Sequence, residues 1–175
     1  MFKFLRYFIQ TCLFFIFTNS MATDSPELHM VLEKGIVKIK TFPEKAPNTV
    51  KRIIELSENG FYDGLTFHRV ISGFMAQGGD PKGDGTGGSG KNIKAEFNDI
   101  KHERGIVSMA RANDPDSADS QFFICYDSHP FLDGKYTVWG KVTEGMNLID
   151  RIPEGKGQNG QVLRNPTKII TIRLK

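Results

Sequence analysis

Several places in this sequence carry side chains that could do chemistry. His68 and Arg69 adjoin, and an imidazole next to a guanidinium invites a general-base reaction. Successive strand residues face opposite sides, however, so His68 reads as structural or exposed, leaving Arg69 as a lone cationic hydrogen-bond donor. The stretch Gly85-Thr86-Gly87-Gly88-Ser89-Gly90-Lys91 has the spacing of a phosphate-binding loop. Its context argues against nucleotide chemistry: Asn92 stands where a hydroxyl would hold magnesium, no apolar strand leads in, and no apolar-periodic helix follows. Asp114, Asp116 and Asp119 alternate along the chain but lack the glycine and distal glutamate of a calcium loop, so a solvated turn is expected. Cys125 lies in an apolar run and reads as a small buried hydrophobe rather than a nucleophile. Taken singly, Arg69 would be a solvated charge, and Phe74, Met75 and Phe123 would be core residues.

The elements that must position these residues follow from composition and period. The 175 residues are 39% hydrophobic and 25% charged with a formal net charge of +3, the balance of one soluble domain with little to offer nucleic acid. Eighteen Gly and 14 Phe suit tight turns, an all-β fold and an apolar site. Leu28, Met30 and Leu32 alternate with polar neighbours, and Ile36 to Phe42 alternates again beyond Lys34-Gly35, which predicts a hairpin. Pro47 opens a helix carrying Val50, Ile53, Ile54 and Ser57 on one face, and Asn59-Gly60 stops it. Strands are expected over Thr66 to Ile71, Phe74 to Gln77, Gly105 to Ala110, Phe122 to Tyr126 and Thr137 to Val142. Thr143 to Ile152 reads as a second helix with Thr143 as N-cap, and Lys168 to Leu174 as a closing strand. The fold class expected is mainly β, a closed antiparallel barrel with helices over its open ends, because closure removes exposed edges.

At the start of the chain, Lys3 and Arg6 precede an apolar stretch from Tyr7 to Phe17, with small residues at Ser20 and Ala22. That is the layout of a signal peptide over residues 1 to 22, leaving a domain over 23 to 175 and directing it out of the cytoplasm. A bacterial periplasm is the expected location; an uncleaved N-terminal membrane anchor and a eukaryotic secretory compartment are the alternatives. Cleavage would leave Cys125 as the single thiol, so no internal disulfide is expected.

The string Phe67-His68-Arg69-Val70-Ile71-Ser72-Gly73-Phe74-Met75-Ala76-Gln77-Gly78-Gly79-Asp80 resembles the central signature of the cyclophilins. So do Gly85-Thr86-Gly87-Gly88, Ser108-Met109-Ala110-Arg111-Ala112, Ser120-Gln121-Phe122-Phe123-Ile124 and Phe131-Leu132-Asp133-Gly134-Lys135-Tyr136, in that order. The resemblance spans Leu28 to Leu174. It implies an eight-stranded antiparallel barrel capped by two α-helices and a peptidyl-prolyl cis/trans isomerase acting on proline-containing peptides with no cofactor and no metal; with the export layout, unfolded or newly exported proteins are the expected substrates, and a monomer is the expected state. Rotation about an X-Pro bond faces a barrier of roughly 18 to 20 kcal/mol, and twisting it frees the proline nitrogen lone pair, so a fixed donor aimed at that nitrogen stabilises the twisted state.

By resemblance, Arg69 is that donor, Gln77 holds it and a substrate carbonyl, and Phe74, Met75, Phe123 and Leu132 form the proline pocket. Strand alternation adds that Arg69 and Ile71 share one face, with Phe67 joining them if no bulge intervenes. The backbone around Ala110, Arg111 and Ala112 would bind the substrate in extended form, Gln121 would lie on the neighbouring rim, and Gly85 would leave room for the residues before proline. Phe131 and Tyr136 would bind substrate at the groove edge, and at three positions the chain departs from a common family pattern: Phe131 stands where Trp is frequent, Tyr136 where His is, and Arg111 where Asn is. Phe131 lacks an indole N–H, so weak affinity for the inhibitor cyclosporin is expected. Arg111 is expected to change substrate preference rather than abolish activity. The competing reading is a chaperone module that holds proline segments, with catalysis incidental.

Overall fold

The computed structural model describes residues 25–175, so the expected signal peptide lies outside the described residues. Strands β1 (Glu27–Leu32) and β2 (Gly35–Thr41) form the predicted hairpin. Its turn is Glu33-Lys34, and Gly35 already pairs with Leu32. A side chain at Gly35 would meet Leu148 Cδ1 at 2.9 Å, so glycine is what lets the hairpin approach the second helix. Leu28, Met30 and Leu32 from β1 and Val37 and Ile39 from β2 point into the core, as alternation predicts.

Helix α1 (Pro47–Glu58) buries Val50, Ile53 and Leu56 and packs against the last strand. Pro47 sits in the first turn, where its missing N–H costs nothing. The N-cap residue, Ala46, offers no side-chain oxygen. The amides of Asn48 and Thr49 donate instead to the two carboxylate oxygens of Glu96, at 3.0 and 2.8 Å, from a loop 48 and 47 residues away. The helix ends at Asn59 with Gly60 in the left-handed region, as the sequence suggests.

The remaining strands are β3 (Arg69–Ile71), β4 (Met75–Gly78), β5 (Ile106–Met109), β6 (Phe122–Cys125), β7 (Val138–Glu144) and β8 (Ile169–Leu174). All pair antiparallel in one curled eight-stranded sheet, ordered β3-β4-β6-β5-β7-β2-β1-β8. The two ends of that order approach each other through Thr66, which bridges both Asp80 and Lys168. Inside the curl, Phe122 is the hub of an aromatic cluster, edge-on to Tyr62, Phe67 and Trp139 at centroid distances of 5.7, 6.3 and 6.1 Å.

The second helix is shorter than its apolar spacing predicts. Helix α2 is Met146–Ile149, and its N-cap is Gly145 at φ 90°, not Thr143. Thr143 and Glu144 remain in β7 because Glu144 pairs with Lys38, and the Thr143 hydroxyl donates to the Lys38 carbonyl. A side chain at Gly145 would lie 2.7 Å from the Ile36 carbonyl, so a glycine turn redirects the chain into the helix there. Among the described residues, no helix is long and apolar enough to cross a membrane.

Candidate active site

Strand β6 is buried on both faces, and its alternation divides two clusters. Phe122 and Ile124 enter the main core; Phe123 and Cys125 join Met75 and Leu132 in a second, smaller cluster. Ile71, Phe74, Ala110 and Tyr136 pack around that second cluster. It floors a cleft of about 410 Å³. A neighbouring cleft of about 230 Å³ is bounded by Gly85, Thr86, Gly87, Ala112, Ser117, Asp119 and Gln121. Gln77, Gly85, Ala110 and Arg111 border both, so the two form one bipartite groove.

Arg69 enters this groove from β3, directly opposite Gln77 on β4. Its Nη1 donates to Gln77 Oε1 at 3.0 Å and its Nε donates to the Asn159 carbonyl at 2.8 Å. Its other terminal nitrogen makes no hydrogen bond among the described residues. Burial lowers its pKa from the ordinary value, and a guanidinium nevertheless stays protonated. Gln77 Nε2 donates to Gln121 Oε1 at 2.9 Å, and Gln121 Nε2 donates to the carbonyls of Gly85 and Gly87 at 3.1 and 2.8 Å. The donor is therefore anchored through a relay of amides to the far rim.

The pocket residues expected from the resemblance converge: Phe74, Met75, Phe123 and Leu132 line the larger cleft, and Tyr136, expected at the groove edge, lines it with them. Phe131 lines neither cleft. It stands 59% exposed against Phe74 and His129, at centroid distances of 5.7 Å from each. The Ala110 amide donates to the Gln121 carbonyl, and the Ala112 amide to Ser117 Oγ.

Phe67 does not share the face of Arg69. Strand pairing lapses at Phe67 and His68, between the Thr66 bridge and β3, and alternation lapses with it. Phe67 is wholly buried in the main core while Arg69 lines the cleft. The same lapse brings His68 to the cleft wall, where it is 3% exposed and neither ring nitrogen has a hydrogen-bond partner among the described residues. Desolvation, opposed by the charge of Asp80, holds its pKa below the ordinary value. Cys125 is fully buried, and desolvation pushes its thiol pKa up to about 12, as befits packing rather than nucleophilic chemistry.

The glycine-rich stretch folds around carboxylates. Asp80 accepts from the amides of Lys82, Asp84 and Gly85, and Asp119 accepts from those of Gly90 and Lys91. Within the stretch the amides of Gly85, Thr86, Gly90 and Lys91 are thus spent on carboxylates rather than left to cradle a phosphate. The acidic residues after β5 likewise brace loops: Asp114 accepts from the Asp116 amide and Asp116 from the Ala95 amide.

Sequence reasoning missed Gln158, Asn159 and Gln161, which close the larger cleft beside Arg69. Asn159-Gly160 is a turn dipeptide, and both residues adopt positive φ, 57° and 81°. That signal could have located the turn, but its contribution to Arg69 is a backbone carbonyl 90 residues away. No side-chain pattern encodes it.

Comparison with known proteins agrees with this architecture. A family model described as cyclophilin type peptidyl-prolyl cis-trans isomerase/CLD matches residues 27–174. A peptidyl-prolyl cis-trans isomerase of Synechococcus elongatus is 44% identical over 142 residues, covering 81% of this chain and 91% of the relative. One from Helicobacter pylori is 49% identical over 126 residues, covering 70% and 77%. The crystal structure of a cyclophilin type isomerase from Cryptosporidium parvum, obtained in the presence of the dipeptide Ala-Pro, superposes with a TM-score of 0.77 at 33% identity, covering 85% of this chain and 98% of that one.

Proposed function

This chain belongs to the cyclophilin-type peptidyl-prolyl cis-trans isomerases and catalyses that isomerisation, and from this premise we propose that Arg69 is its catalytic donor. The single observation carrying the proposal is a guanidinium held by Gln77 and Asn159 at the edge of an apolar pocket, with one terminal nitrogen unspent among the described residues. A proline ring would sit among Phe74, Met75, Phe123 and Leu132. As the bond twists, resonance is lost, the proline nitrogen gains a lone pair, and the guanidinium donates to it. Either planar isomer lacks that acceptor, so the bond strengthens the twisted state selectively. Gln77 keeps the fork in plane and, with the Ala110–Ala112 backbone, holds the substrate chain extended. An acceleration of about 10⁵ would ask for about 7 kcal/mol from donor, pocket and reduced solvation together. No bond is made or broken.

The substrates proposed are prolyl segments of unfolded or newly exported chains. This location rests on the basic, apolar and small-residue order of residues 1 to 22. The first test is cis-to-trans exchange in a short X-Pro peptide. No acceleration by the folded protein would sink the catalytic assignment and favour a holding role for the same groove. The location is tested by fractionating expressing cells and measuring the N-terminal mass: an intact chain in the cytoplasm would refute it.

A further inference from the structure

Arg111 and Tyr136, two of the positions at which the sequence departs from the common family pattern, touch each other. The guanidinium carbon lies 4.7 Å from the centre of the Tyr136 ring, and on another side 5.9 Å from that of Phe97. Nε and Nη2 donate to the Lys135 carbonyl at 3.2 and 3.0 Å. Nη1 donates to the carbonyls of Ala112 and Asn113 at 2.8 and 3.1 Å. A guanidinium carries about five N–H bonds in a fixed plane, so all but one of these donors are already spent on main-chain oxygens. Those bonds fix the plane of the guanidinium on the protein, while neutral carbonyl oxygens leave its charge in place.

The bonds join two separate walls. Ala112 and Asn113 belong to the loop leaving β5; Lys135 belongs to the loop entering β7. Tyr136, which follows Lys135, stands edge-on to Phe123 on the pocket floor at 5.8 Å and to His102 at 6.5 Å. Arg111 also borders both clefts, at the saddle between them.

We infer that the Arg111 side chain is a positioning residue for the isomerisation: its planar fork fixes the separation of the two groove walls and seats Tyr136 against Phe123. The inference rests on reading the groove as the prolyl site. It acts on substrate capture, not on the twisting step, because among the described residues it makes no hydrogen bond to Arg69 or Gln77. Lysine cannot replace the fork, because its donors radiate from a single nitrogen.

The test compares Arg111→Ala and Arg111→Lys with the native protein in three measurements: kcat and KM by exchange, the Kd of an Ala-Pro peptide by titration, and the thermal midpoint. Both variants should fold and show KM and Kd raised about tenfold with kcat within about twofold of native. Native-like KM in Arg111→Lys would show that charge suffices and overturn the inference, as would unchanged KM in Arg111→Ala or a fall confined to kcat. If Arg111→Ala fails to fold, Arg111→Met, which keeps the stem but no donors, decides by the same criteria. If the native protein accelerates no exchange, the catalytic assignment falls separately. The Kd comparison then decides alone, and unchanged affinity in both Arg111 variants overturns the brace.

Discussion

Arg69 and Gln77 face each other across a single rung of β3 and β4, and the guanidinium donates to the amide oxygen at 3.0 Å. A cross-strand pair fixes both ends of the contact to the same ladder, so the donor cannot drift without disturbing the sheet. The Asn159 carbonyl holds the other edge of the fork. Orientation at this site is set by three chain segments, not by a flexible side chain in solvent.

Replacing Arg69 with Ala should lower kcat/KM by two to three orders of magnitude, about 3 to 4 kcal/mol, while peptide affinity changes only a few-fold. Arg69→Lys should recover little, because one ammonium cannot satisfy Gln77, Asn159 and substrate from the same plane. Exchange kinetics beside peptide titration separates the two effects.

The amide relay from Gln77 through Gln121 to Gly85 and Gly87 should behave as a unit. Gln77→Ala and Gln121→Ala are each expected to cost about tenfold in kcat/KM, and the double variant less than their product, because the second removal acts on a relay already broken. Strict additivity in a double-mutant cycle would mean the contacts are independent.

Cyclosporin should bind weakly, and Phe131→Trp should tighten it by about tenfold by supplying an N–H donor at the exposed edge of the groove. Phe131 stands clear of both clefts, so isomerisation of short peptides should barely change. Inhibition curves against the native protein and the variant measure both.

Acidification should destabilise the fold before any carboxylate titrates. His68 and His102 both have folded pKa values held below the ordinary imidazole value, each chiefly by desolvation, with Asp80 and Asp133 opposing. Below about pH 6.5 the unfolded chain therefore binds protons that the folded chain refuses, and stability declines until the folded values are reached. The urea midpoint should fall between about pH 7.5 and 5.5, and His68→Phe, which removes one of these titrations, should flatten that decline.

What the sequence makes legible is whatever repeats within a few residues. The β1–β2 hairpin, the inward face of α1 and the burial of Cys125 all follow from local period. Glu96 as the cap of α1 and Asn159 as the second anchor of Arg69 do not, because each acts across a long stretch of chain through a backbone group on one side of the bond. The misplaced N-cap at Thr143 has a related cause: an apolar spacing of three and four residues predicts a helix even where the first residues are retained by a neighbouring strand. His68 reaches the cleft for a reason local alternation does not carry: strand pairing lapses at Phe67 and His68, so the two-residue period that would turn His68 away from Arg69 does not hold there.

Strands β1 and β8 lie side by side with Leu28 opposite Leu174, and the Lys175 amide donates to the Glu27 carbonyl at 3.0 Å. The first and last strands of the domain thus begin and finish at the same corner. A few flexible residues would suffice to splice that corner, allowing the polypeptide to be reopened at an exposed turn such as Glu33-Lys34 as a circular permutant that keeps every rung of the sheet except the hairpin's own connection.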